Sequence, residues 1–162
     1  AIQEARRVIE PVVVALAAQR ATEDDLRCME AALAAYEAAL ARGEDVFPLG
    51  VQVHRAFSEG CGNAALVDVV RTLSELAQVA QRRIYRRAGL SQAESDVPDH
   101  RSIYEAVARR RPEAALDAML RHLGHVDETL HQAMLAATHT ALAGPAHTAP
   151  AAAHGSPTDS WG

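Results

Sequence analysis

The sequence predicts an all-α protein, an antiparallel bundle of about six helices. Three observations carry this. Apolar residues recur at helical spacing in six successive stretches. Alanine, leucine and valine dominate while aromatic residues make up only 4%, a mix that suits closely packed helices better than a sheet. No strand run or two-residue hairpin signal occurs. The length, 162 residues, suits one domain with a real hydrophobic core.

The first helix spans 2–20, with Ile2, Ala5, Ile9, Val12/Val13 and Leu16 on one side. Pro11 should kink it or mark a local break. Thr22 followed by Glu23, Asp24 and Asp25 is a good start for a second helix, which carries Leu26, Met29, Leu33, Tyr36 and Leu40 and stops at Gly43. A third helix begins near Asp45–Pro48, carries Val51, His54 and Phe57, and ends at Gly60 and Gly62. Asn63 caps the fourth, which runs to about Arg87 in one piece or two. Its expected apolar stripe is Leu66, Val69/Val70, Leu73, Leu76/Ala77 and Ala80. Residues 88–98 read as a loop, and a fifth helix covers Asp99–Arg110. Pro112 suits the first turn of the sixth, which carries Leu116, Met119, Leu120, Leu123 and Val126 and continues to about Thr138. The domain thus covers 1–138. Residues 139–162, rich in Ala, Pro and Gly without periodicity, read as a disordered tail.

The net charge of −5 is no nucleic-acid footprint, which would need a strong basic excess. No stretch is apolar for long enough to span a bilayer and no signal peptide is present, so a cytoplasmic protein is expected. Cys28 and Cys61 lack CxxC spacing and read as reduced, largely buried thiols. Arg82, Arg83, Arg86 and Arg87 form a basic cluster, read as a solvated helix face or an interdomain contact. The chain starts with Ala1 inside a helical pattern, as a fragment lacking its N-terminal part would.

Of eight histidines, His139, His147 and His154 lie in or beside the tail, and His125 and His131 suit a polar face. His54, His100 and His122 instead lie on the apolar sides of three different helices. If they meet, three neutral imidazoles make one face of a site for Zn, Ni, Fe or Cu. The bland alternative is three hydrogen-bonded core histidines.

Three segments resemble the C-terminal effector-binding domain (FCD) of the FadR-like branch of GntR transcription regulators. EARRVIEPVVVALAAQRAT at 4–22 is similar to the family's R-x-x-x-E followed by A-A-x-x-A-T. VHRAFSEGCGNAAL at 53–66 and DHRSIYEAVARRRPEAALDAMLRHL at 99–123 resemble its F-H-R-A-L and H-x-x-I…A-M-x-x-H-L segments. The resemblance covers roughly residues 2–130, in the six-helix VanR-like form. It implies a bundle enclosing an effector cavity, with a divalent metal held by an Asp and three His. The histidines fall on His54, His100 and His122, with zinc or nickel the first candidates. The Asp position, four residues before His54, is Gly50, a departure that removes the one anionic protein ligand. Arg6 matches an arginine that faces the effector in several members; otherwise it is a surface residue paired with Glu10 at i+4.

The resemblance implies a homodimeric sensor of a small carboxylate, touching DNA only through an N-terminal winged helix outside this chain, and not an enzyme. Two alternatives stand beside it: a metal-dependent hydrolytic enzyme, with Asp99 as the nearest acid/base candidate or simply the N-cap of helix five, and a structural or partner-binding bundle without metal.

Overall fold

A computed structural model describes residues 1–88 and 93–143. It contains six helices: α1 (Ile2–Arg20), α2 (Glu23–Ala41), α3 (Phe47–Glu59), α4 (Ala64–Ala88), α5 (Ala93–Ala108) and α6 (Pro112–Ala143). There is no strand among the described residues. α1 is the central element and packs against α6, α4, α3 and α5.

The helix boundaries follow local chemistry. Thr22 and Asp25 form a reciprocal capping box at the start of α2, satisfying two otherwise orphaned backbone donors. Asp45 accepts from the Phe47 N–H and Pro48 occupies the first turn of α3. Gly62 takes φ +67°, a conformation that disfavours residues with a Cβ. Asn63 then accepts from the N–H groups of Ala65 and Leu66, capping α4 as expected.

The main core joins Val14, Ala17, Met29, Leu33, Tyr36, Val53, Phe57, Ile103, Val107, Met119 and Leu123. α3 ends where α1 and α2 come close. A Cβ on Gly60 would stand 2.6 Å from Met29 Cε and 3.1 Å from Ala21 Cβ, so glycine permits that approach.

The structure departs from the sequence reading in five places. α1 runs unbroken through Pro11, which is buried within it. α4 is one continuous helix, and its buried face is Val70, Ser74, Ala77, Gln81 and Tyr85; Val69, Leu76 and Val79 are exposed. Amphipathic scoring missed this because the inward face carries polar residues. α5 starts at Ala93, with Pro98 inside it; a proline in the second turn forfeits one backbone bond without ending the helix. α6 continues to Ala143, since the alanine-rich stretch before Gly144 contains no breaker. Of the tail expected at 139–162, residues 139–143 belong to α6, and 144–162 lie outside the described residues. Finally, Cys61 is buried but Cys28 is exposed on α2.

Candidate metal centre

Three helices deliver the expected histidines to one point. His54 comes from the middle of α3, His100 from α5 and His122 from α6, and all three are buried. The His54 Nε2 lies 3.3 Å from His100 Nε2 and 3.2 Å from His122 Nε2. The rings are wedged by aromatic neighbours: Tyr36 meets His100 edge-on at 5.4 Å between centroids, and Phe57 stands at 6.4 Å.

A hydrogen-bond account of this cluster fails on its own terms. A neutral imidazole nitrogen has one in-plane lone pair. His54 Nε2 has three nitrogen neighbours within 3.4 Å, the third being Arg6 Nη2. At most one can be well bonded. A divalent cation resolves this by accepting a lone pair from each ring. Ligand nitrogens about 2.0–2.1 Å from a tetrahedral ion lie roughly 3.3 Å apart, which is the spacing of His54 Nε2 from each of the other two. The donor set fits a transition metal.

Protonation favours the same use. Burial lowers His54 to about 4; Arg6 and His122 push the same way and Glu10 opposes them. Burial, with His122, His54 and Arg6 adding to it, pushes His100 well below the ordinary imidazole range. Both rings are therefore neutral near pH 7, as ligands must be.

The sequence reading treated Glu10 only as a possible surface partner of Arg6. Both residues are buried, at 1% and 4% exposure. Arg6 Nε donates to Glu10 Oε1 at 2.7 Å, and Glu10 Oε2 lies 2.7 Å from His54 Nδ1. A carboxylate there holds the proton on Nδ1 and leaves the Nε2 lone pair facing the cluster. Burial alone would raise the Glu10 carboxyl, but Arg6 and His54 outweigh it and hold it at about 2. The signal was present in the sequence: an acid flanked by Ile9, Val13 and Val14 on an apolar face. Asp99 does not cap α5 but stands inside it. Its Oδ2 is 2.7 Å from His125 Nδ1 and 3.8 Å from His122 Nδ1. The Nδ1 atoms of His100 and His122 have no hydrogen-bond partner among the described residues.

A cavity of about 40 Å³ opens beside the histidines, lined among others by Arg6, Tyr36, Gly50, Ser74, Gln78 and Gln81. The last three come from the polar inward face of α4, which the sequence reading missed. Gly50 lies at the expected place, one helical turn before His54. No carboxylate joins the three histidines as a ligand among the described residues.

The fold is an all-α bundle whose interior holds a small polar cavity, a buried arginine and three imidazoles from three helices. Comparison with known proteins gives the family. The model of the FCD domain matches residues 1–125, and the chain belongs to that family, the effector-binding regulatory domain of GntR-type transcription regulators. It is 30% identical over 131 residues to the HTH-type transcriptional regulator LutR of Bacillus subtilis, covering 78% of this chain and 59% of LutR. It is 27% identical over 124 residues to a galactonate operon transcriptional repressor of Escherichia coli, covering 74% of this chain and 52% of the repressor. Among solved structures, Streptococcus agalactiae GntR superposes with a TM-score of 0.69 at 26% identity, covering 79% of this chain and 57% of that one. The chain therefore spans between about half and three-fifths of these relatives. No described helix is long and apolar enough to cross a membrane.

Proposed function

We propose that this domain senses a small organic acid through a divalent metal, zinc or nickel first, held by His54, His100 and His122. The approach of His100 Nε2 and His122 Nε2 to His54 Nε2, at 3.3 and 3.2 Å, carries the reading. The metal would supply a Lewis-acidic point for an anion. Charge accounts for the kind of ligand. The three imidazoles are neutral ligands, and Arg6 and Glu10 cancel one another. A buried dication would keep its full charge, which is costly away from water unless an anion joins it. With Gly50 where a carboxylate could stand, that anion comes from the ligand. Arg6 supplies a second anchor, since a guanidinium pairs well with a carboxylate. A cavity of about 40 Å³ suits a compact acid rather than a long acyl chain.

The domain does not act as an enzyme in this reading; Glu10 is committed to Arg6 and His54, and Asp99 lies against His125 and His122. It self-associates as a homodimer in the cytoplasm, and the whole regulator contacts DNA through a part outside residues 1–162. Ligand binding would favour one arrangement of the bundle and so change the placement of the DNA-binding parts.

The test is metal content of tag-free protein by elemental analysis, with His54→Ala and His122→Ala alongside. About one equivalent in the wild type, lost in both variants, is expected. Small carboxylates should then raise the melting temperature of metal-loaded protein more than of chelated protein. Acids that stabilise the metal-free protein equally would mean direct capture by Arg6 and the histidines. If neither metal nor acid shifts the melt, the histidines are core; turnover of small acids or esters by metal-loaded protein, lost in His54→Ala, would restore the enzyme reading.

A further inference from the structure

We propose that the inward face of α4 selects a hydroxylated monocarboxylate, with Ser74 and Gln78 as the residues that read its hydroxyl groups. This rests on the acid-sensing reading above but not on the metal.

α4 brings Ser74, Gln78 and Gln81 to the cavity at i, i+4 and i+7, on one helix face. Ser74 is 4% and Gln81 6% exposed. A hydroxyl on a helix commonly satisfies itself by donating to a carbonyl one turn earlier. Ser58, Thr72, Thr129 and Thr138 all do so, to the carbonyls of Arg55, Asp68, His125 and Met134. Ser74 does not. Its Oγ is buried and has no hydrogen-bond partner among the described residues, and the same holds for Gln78 Nε2. Buried polar groups are nearly always paired, because an unpaired one keeps its full desolvation cost. Two of them, one turn apart on the lining of one cavity, call for a partner from outside the chain.

The chemistry of the lining says what that partner is. Arg6 is the one cationic side chain on it, and no carboxylate is among the lining residues. Arg6 therefore anchors one carboxylate. A second carboxylate against α4 would meet no cation there, and an ammonium group would meet no anion. Serine and glutamine are neutral and offer both donors and acceptors. A hydroxyl also does both, so one can accept from Gln78 Nε2–H and another can donate to or accept from Ser74 Oγ. Four residues of helix separate the two side chains by about 6 Å along the axis, within the span of a short hydroxylated chain. Val46, Val51 and Val126 on the same lining cover its carbon skeleton. A site built to bond a hydroxyl rejects the analogue without it, since the site's own polar groups are then left unpaired.

Calorimetric titration with acids of one four-carbon skeleton tests this, on metal-loaded and on chelated protein: butyrate, β-hydroxybutyrate, threonate, succinate and γ-aminobutyrate. The two hydroxylated monocarboxylates should bind at least about tenfold tighter than the other three. In Ser74→Ala and Gln78→Leu that preference should shrink at least about threefold, with the affinity for butyrate unchanged. Ser74→Ala should also leave the ligand-free protein as stable as the wild type or more so in urea titrations, because it removes a buried hydroxyl that has no partner; a serine with a purely structural role would do the opposite. Circular dichroism checks that each variant keeps its helices. Butyrate binding as tightly as threonate would overturn the proposal and leave ordered water as the partner of Ser74 and Gln78. A hydroxyl preference kept in full by both variants would overturn it too, as would succinate or γ-aminobutyrate binding tightest. Equal binding of all five acids would sink this inference alone; no binding of any acid would sink the sensing reading with it.

Discussion

Replacing Glu10 by Gln removes one charge with almost no change of shape. In the wild type its two oxygens accept from two different donors, Arg6 Nε and His54 Nδ1, each at 2.7 Å. An amide has a single acceptor oxygen. If that oxygen faces Arg6, the amide NH2 meets His54 Nδ1, which must then give up its proton. The proton moves to Nε2, the atom proposed to bind metal. If it faces His54, Arg6 Nε–H is left against another donor. Holding Glu10 at about 2 against an ordinary 4.5 corresponds to about 3 kcal/mol in favour of the ionised form, and breaking a buried ion pair costs about 3–5 kcal/mol by mutation. The Gln variant should therefore lose about 3 kcal/mol of stability at pH 7 in urea titrations of chelated protein. Its zinc affinity should fall by roughly 10–100-fold in a competition titration, the usual effect of removing such a histidine partner. A folded variant within about 1 kcal/mol of wild type and with unchanged zinc affinity would refute the argument that Glu10 sets the tautomer of His54.

Acid should weaken the metal-free domain in two steps. His54 is held near 4 when folded against an ordinary 6.5, so the unfolded chain takes up the proton first. Stability is full above about pH 6.5 and falls by about 3 kcal/mol as pH drops towards 4, with His100 acting in the same direction. Glu10, depressed to about 2, continues the loss between about pH 4.5 and 2. Urea midpoints that stay flat between pH 7 and 4.5 would contradict the buried neutral rings. Gly60→Ala should lower stability by about 1–3 kcal/mol, because Met29 can shift but Ala21 cannot; thermal melts check this, and an unchanged melting temperature would show the approach to be loose. Gly50→Asp should fit, since a Cβ there meets only Tyr36 Cε2 at 3.7 Å. It should tighten zinc binding at least tenfold and weaken the dependence of zinc binding on added carboxylate; unchanged affinity would place its carboxylate out of reach of the histidines.

The six helices were legible in the sequence because periodicity, caps and glycine stops are local. Thr22 with Asp25, Pro48, Asn63 and Gly62 each act within a turn of themselves, and α2, α3 and α4 start or stop where they direct. The same local rules set a loop over Pro98, which stands inside α5, because the cost of a missing backbone bond is small beside the burial energy of a helix already held by its neighbours. His54, His100 and His122 could be picked out as histidines on apolar faces, yet spacing along the chain cannot bring three helices to one point.

Tertiary packing alone decided the rest. It set His100 Nε2 and His122 Nε2 3.3 and 3.2 Å from His54 Nε2, turned Glu10 onto His54 rather than outward, and brought Ser74, Gln78 and Gln81 to the cavity while leaving Leu76 and Val79 outside. A helix in isolation shows its most apolar stripe as the buried one. In this bundle α4 turns polar groups inward because the interior holds a polar cavity, and that environment is built from residues as far along the chain as Arg6 and Val126. The sequence determined which side chains are available and on which turn they stand. Only the crossing of α1, α3, α4, α5 and α6 decided which of them face one another.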